Sequence, residues 1–179
     1  AEKLMKFFRD ESYQMSSELA ETRGTYPAWE GSEHQKEGRK MRNTCCITIA
    51  PTGTIGMLAE ASGGCEPTFA ISYIKNVMDG TELIYTNRIF ERVAKERGFD
   101  SPDLMRKIAK LGTIQNIDEI PQDVRNIFVT AQDILPEEHI KMQAAFQKNV
   151  DSSISKTINF PHSATLDDVK SAYLTAWKM

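Results

Sequence analysis

The sequence predicts an α/β fold, and three observations predict it. Short runs of β-branched and small apolar residues, Thr44–Ala50, Phe69–Val77 and Ile154–Phe160, read as strands. Longer stretches between and around them carry apolar residues at helical spacing and read as amphipathic helices. The alternation of strand and helix, with helices much longer than a hairpin turn, points to parallel or mixed strand pairing. At 179 residues, with 40% hydrophobic and 26% charged content, the whole chain 1–179 is read as one domain with a real core.

Taken in order, Leu4, Phe7, Phe8, Met15 and Leu19 fall on one face of a helix ending at Gly24, and that stripe is expected in the core. Thr25 to Gly38, with Pro27, Trp29, Gly31 and mixed charge, reads as an irregular loop in which His34 is a solvated residue. The run Thr44–Ala50 stops at Pro51, and Pro51, Thr52, Gly53 and Thr54 form a turn from which Ile55 resumes as a short helix. Ser62-Gly63-Gly64 and Glu66-Pro67 make a second loop before the next apolar run, Phe69 to Val77, which alternates imperfectly, as a strand buried on both faces would. Lys75 and Asn76 stand near its end.

Asp79-Gly80-Thr81-Glu82 resembles a capping box, so a helix carrying Leu83, Phe90, Val93 and Ala94 is predicted up to Gly98. Ser101-Pro102-Asp103 opens another, with Leu104, Ile108 and Leu111, closed at Gly112, and Pro121–Phe128 reads as a third. Pro136-Glu137-Glu138 starts a helix whose Met142, Ala145, Phe146 and Val150 share a face. His139 lies in its first turn, where an imidazolium would oppose the helix dipole, so a neutral structural histidine is predicted. Ile154–Phe160 alternates apolar with polar and stops at Pro161, with Lys156 and Asn159 near the strand end. Thr165 caps the last helix, with Val169, Tyr173 and Trp177 along one side. Ala1 falls inside one helical pattern and Met179 closes another without a Gly or Asn stop, the pattern expected of a fragment of a longer chain.

A net charge of −3 argues against a polyanion-binding surface, so long nucleic acid is not an expected partner. No apolar run approaches the roughly 20 residues that span a bilayer, and a cytoplasmic protein without membrane contact is expected. Three cysteines without Cys-x-x-Cys or His/Cys ligand spacing make neither a disulfide framework nor a metal site.

The chemistry concentrates at Ala50-Pro51-Thr52-Gly53-Thr54-Ile55. A strand passing through a Gly/Thr turn into a helix places backbone N–H groups, a helix N-terminus and hydroxyls around one point, which suits an anion, and a phosphate is expected. A plain, well-capped helix start is the alternative reading of the same residues. There is no Gly-Lys-Ser/Thr of the ordinary P-loop kind.

Read at full length, Arg42-Asn43, Thr48 through Ile55, Ser62-Gly63-Gly64 and Glu66-Pro67 resemble the substrate phosphate loop of the adenosylcobalamin-dependent (class II) ribonucleotide reductases. Arg23-Gly24-Thr25-Tyr26-Pro27, Phe128-Val129-Thr130-Ala131, Met142 through Gln147 and Ser155-Lys156-Thr157-Ile158-Asn159 agree in order and spacing. The resemblance implies part of a ten-stranded α/β barrel that reduces ribonucleoside di- or triphosphates by thiyl radical chemistry with adenosylcobalamin. It implies a thioredoxin-type reductant, contact with the rest of the same polypeptide, and admits a homodimer. Ala50, Pro51, Thr52, Gly53, Thr54 and Ile55 would wrap the phosphates, and Glu66, Lys156 and Asn159 are candidates for secondary contacts.

The family's radical cysteine sits in an Asn-x-Cys-x-Glu motif that does not occur in this sequence. No catalytic residue is therefore assigned here, and Cys45, Cys46 and Cys65 are read as structural. Two other readings stand beside this one: a free-standing nucleotide-phosphate-binding module, and a half-barrel that folds only with its missing half. A barrel using a glycyl or metal-generated radical is a third, less close in wording to Ala-Pro-Thr-Gly-Thr-Ile.

Overall fold

The computed structural model describes residues 1–59, 61–76 and 82–179, without the side chains of residues 57, 75 and 76. Elements follow in the order α1 (Glu2–Arg23), α2 (Glu33–Lys36), α3 (Gly53–Ala59), β1 (Ser72–Asn76), β2 (Glu82–Thr86), α4 (Arg88–Arg97), α5 (Pro102–Leu111), α6 (Gln122–Ile127), α7 (Pro136–Gln147) and α8 (Leu166–Lys178). Apolar residues gather in two places. One cluster joins Ile71, Phe90, Ala94, Leu104, Ile108 and their neighbours beneath the β1–β2 hairpin, and the other joins Met5, Cys65, Val150 and Ile154 beneath residues 47–49.

α1 turns a different face inward from the one its apolar stripe predicts. Met5, Ser16 and Ala20 are buried, while Leu4, Phe7, Phe8 and Met15 are exposed and Leu19 is half-buried. Small residues explain the choice: Ser16 lets the 41–43 segment approach, donating through Oγ to Asn43 Oδ1 at 3.0 Å and accepting Arg42 N–H on its carbonyl at 3.1 Å. Arg42 then reaches the carbonyls of Arg23, Gly24 and Thr25 at 3.4–3.5 Å, a cation on the negative end of the helix. His34 belongs to α2 instead of a solvated loop. It is half-buried, its Nδ1 lies 3.1 Å from the Tyr26 hydroxyl, and its ring meets Tyr13 and Tyr26 edge-on, aromatic contacts that outweigh hydration.

The hairpin corrects two expectations. β1 pairs antiparallel with β2, Tyr73 opposite Tyr85, and those two rings stack at 5.4 Å on an open face while α5 covers the other. The strand is thus buried on one side only, as an antiparallel pair with a single helix layer requires. The capping box at Asp79-Gly80-Thr81 lies outside the described residues, as does Val77, while Glu82–Thr86 is β2. The helix begins at Asn87, whose Oδ1 accepts from Ile89 N–H and Phe90 N–H at 3.0 and 3.1 Å. Its end at Gly98 and that of α5 at Gly112 fall as the sequence predicts, both glycines left-handed at φ 77° and 72°.

α7 buries His139 and Ile140 and leaves Met142 exposed, although Phe146 and Val150 do join the second cluster. On α8, Ala172 is the buried residue, and Tyr173 and Trp177 lie in solvent. Thr165 and Asp168 close a reciprocal capping box at its start.

Candidate functional site

The two segments read as strands at the site, 44–50 and 154–160, run side by side but share only a parallel bridge between Ile49 and Ile154. Ser155 N–H donates to Ile49 O at 2.9 Å and Ser152 N–H to Ile47 O at 3.2 Å. The parallel direction matches the expectation, and the ladder is shorter: at its far end Glu66 takes the Thr157 N–H, and at its near end the acceptor is Asp151. Its Oδ2 accepts Cys46 N–H at 2.6 Å and Ile47 N–H at 3.2 Å, and its Oδ1 accepts the Tyr13 hydroxyl. Burial, and then that carboxylate, push the Tyr13 phenol well above its ordinary pKa, so it stays a donor.

Ile49 delivers the chain to Ala50 and Pro51, and α3 begins at Gly53. The first bond of that helix is Gly56 N–H to Thr52 O at 2.7 Å, so the N–H groups of Gly53, Thr54 and Ile55 precede the intrahelical ladder. Ala50, Pro51, Gly53, Thr54 and Ile55 are exposed and Thr52 is half-buried. A Cβ built on Gly53 meets nothing within 4 Å. The turn is open on its outer side.

Its inner side is closed by the second glycine loop. A Cβ on Gly63 would stand 3.4 Å from Thr52 Oγ1, and one on Gly64 would stand 2.9 Å from Ile49 Cγ2, with Gly64 itself at φ +50°. Gly56 has the Ala61 carbonyl at 3.0 Å from the same construction. These glycines are needed for backbone to lie against backbone, which the sequence alone suggests but cannot locate.

Of the secondary candidates, Glu66 and Lys156 meet at Thr157, while Asn159, three residues beyond Lys156, is half-buried and makes no hydrogen bond among the described residues. Glu66 Oε1 accepts Thr157 N–H at 2.8 Å. Lys156 Nζ donates to His139 Nδ1 at 2.8 Å and to the Thr157 carbonyl. His139 is 2% exposed, and its Nε2 lies 3.2 Å from Ala131 O. One neutral tautomer satisfies both contacts, Nε2–H donating to the carbonyl and bare Nδ1 accepting from the ammonium. Burial holds both His139 and Lys156 below their ordinary pKa values, with the neighbouring Lys156 charge a further influence on the imidazole and Glu66 opposing on both. Sequence reasoning treats His139 and Lys156 separately, because they are 17 residues apart and only the fold joins them.

Among the cysteines, Cys65 is buried in the second cluster, Cys46 is half-buried and Cys45 is exposed, and burial pushes the Cys46 and Cys65 thiols up. Among the described residues no group of three or more His, Cys, Asp or Glu side chains could hold a metal ion, and no helix is long and apolar enough to cross a membrane.

In this α/β protein an extended segment enters a Gly/Thr turn and a short helix, backed by a glycine loop. The same fold is seen in the solved alpha subunit of the Actinobacillus ureae class Id ribonucleotide reductase, with a TM-score of 0.79 at 24% identity, covering 99% of this chain and 31% of that one. Residues 36–179 match the family model for the ribonucleotide reductase barrel domain, and the chain belongs to that family. It is 48% identical over 175 residues to the vitamin B12-dependent ribonucleoside-diphosphate reductase of Thermoplasma acidophilum and 39% identical over 178 residues to that of Mycobacterium tuberculosis. These alignments cover 98% and 99% of this chain, which spans only 23% and 25% of those relatives.

Proposed function

We propose that these residues supply the substrate-phosphate anchor of an adenosylcobalamin-dependent ribonucleoside-diphosphate reductase, within a ten-stranded α/β barrel completed by the remainder of the polypeptide. The observation that carries this reading is the turn itself. Three N–H groups, of Gly53, Thr54 and Ile55, stand ahead of the α3 ladder beside the Thr52 and Thr54 hydroxyls, on an exposed surface with free space over Gly53. A diphosphate needs several donors and no obligatory lysine when the helix start supplies the field. Ala50 and Pro51 set the entry to the turn and Ile55 its exit.

Adenosylcobalamin supplies the radical that starts ribose reduction, and the reacting cysteines are assigned to parts of the polypeptide beyond these residues. No contact with the cofactor is assigned to the described residues. Among the described residues an open cavity of about 440 Å³ lies between α1 and residues 43–46. A thioredoxin-type reductant would act on the complete enzyme, whose dimerisation is equally a property of the whole. What this chain contributes is orientation: the ribose must be held still above the radical, and a fixed phosphate does that.

The test is kinetic and uses the complete reductase. Gly53→Val fills open space, so it blocks the turn without displacing any neighbour. Together with Thr54→Ala it is expected to raise the KM for a ribonucleoside diphosphate roughly tenfold or more while kcat changes far less. An unchanged KM in both variants would refute the anchor.

A further inference from the structure

Around the proposed anchor runs a closed circuit of hydrogen bonds that reaches the turn only indirectly. His139 Nε2 donates to Ala131 O at 3.2 Å, and Ala131 N–H donates to Thr68 O at 2.9 Å. From the other ring nitrogen the path goes through Lys156 Nζ at 2.8 Å to the Thr157 carbonyl, and Thr157 N–H donates to Glu66 Oε1 at 2.8 Å. Both arms therefore end on the same short loop, one at Glu66 and one at Thr68. That loop also carries Gly63 and Gly64, which lie against Thr52 and Ile49. α7 holds the loop, and the loop forms the floor of the turn.

We propose that His139 and Lys156 are positioning residues that fix the height of the phosphate turn through the 62–68 loop, and that neither they nor Glu66 touches the nucleotide. This rests on the anchor reading above. The ammonium gives two donors and the carboxylate one oxygen to partners within the circuit, which fixes their direction, and the imidazole is buried with both nitrogens engaged. A misplaced floor tilts the three N–H donors away from their common point, and small displacements of oriented groups are costly to binding.

The experiment compares Lys156→Met, Gly64→Ala, their double variant and Gly53→Val in the complete reductase, reading KM and kcat for a ribonucleoside diphosphate and amide exchange of residues 62–68. Lys156→Met keeps the stem and removes the donor. It is expected to raise KM roughly tenfold with kcat within about twofold, to speed exchange in the loop, and to add little to Gly64→Ala, because both act through one floor. His139→Leu, of similar bulk and without either ring nitrogen, serves the same purpose should Lys156→Met not accumulate. A KM left unchanged by Lys156→Met while Gly53→Val raises it overturns the positioning role and leaves the anchor standing. KM unchanged in both overturns the anchor and this inference with it. Additive effects of Lys156→Met and Gly64→Ala, or a raised KM with undisturbed loop exchange, would mean that Lys156 meets the substrate directly and also overturn the proposal.

Discussion

At the scale of single residues, His139 shows how far local reasoning reaches. Its place in the first turn of α7 predicts a neutral imidazole from the helix dipole alone, and the buried, doubly bonded ring agrees. Its partners were not legible, since nothing in residues 136–147 points to Lys156 or to Ala131. A pH dependence follows from its environment. The folded pKa is lowered below the ordinary 6.5, chiefly by burial, so between the two values the unfolded chain binds the proton that the fold refuses. The contribution of this site to stability is therefore complete above pH 6.5 and declines as the pH falls toward the lowered value. Hydrogen exchange of α7 amides between pH 8 and pH 5 should accelerate on the acid side, corrected for intrinsic rates, and His139→Leu should flatten that limb. An equally steep acid limb in the variant would assign the effect to another group.

At the scale of elements, ends were easier to read than faces. The Thr165 capping box, the Ser101-Pro102 start of α5 and the glycine stops at 98 and 112 are local devices, and each is where the sequence puts it. The start of α4 is the exception. Glu82–Thr86, with its Ile, Tyr and Thr, joins β1 as a strand, and Asn87 caps the helix in place of a box eight residues earlier. Asn87→Ala removes an acceptor for two N–H groups and should cost about 1 kcal/mol, read from the exchange free energy of α4 amides. A loss below roughly 0.3 kcal/mol would show that water replaces the cap. Helix faces were misread where small residues decide: Ser16 and Ala20 admit the 41–43 segment closely, and no periodicity of large side chains can report that. The paired segments at the site were legible as extended and parallel, whereas Asp151 as the acceptor at the near end of the ladder was not.

At the scale of the whole molecule, two apolar clusters coexist with broad uncovered faces. Leu4, Phe7, Phe8 and Met15 on α1 and Leu166, Tyr173 and Trp177 on α8 are 48–90% exposed, and large apolar side chains gathered on helix faces in this way mark surfaces for covering. The chain, about a quarter the length of the curated relatives it matches, should therefore self-associate when produced alone. Size-exclusion with light scattering across a tenfold concentration range should show growing mass, reduced by Phe7→Glu together with Trp177→Glu. A concentration-independent monomer would show that these faces tolerate water. Why the sequence could not reveal this is plain: an apolar stripe looks the same whether its cover is near or far along the chain.

The Ile49–Ile154 bridge and the Asp151 contacts carry one more consequence. They span about 105 residues, whereas the hairpin and α4–α6 cluster is assembled from close neighbours in sequence. Closing so long a loop costs entropy before it returns any contact, so the local cluster is expected to fold first and the site last. A growing polypeptide would hold a formed helical layer while the 62–68 loop beneath Thr52, Gly53 and Thr54 was not yet tied down from α7. Affinity for nucleotide would then arise in one late step, when α7 and Lys156 have been made and the distant ends meet.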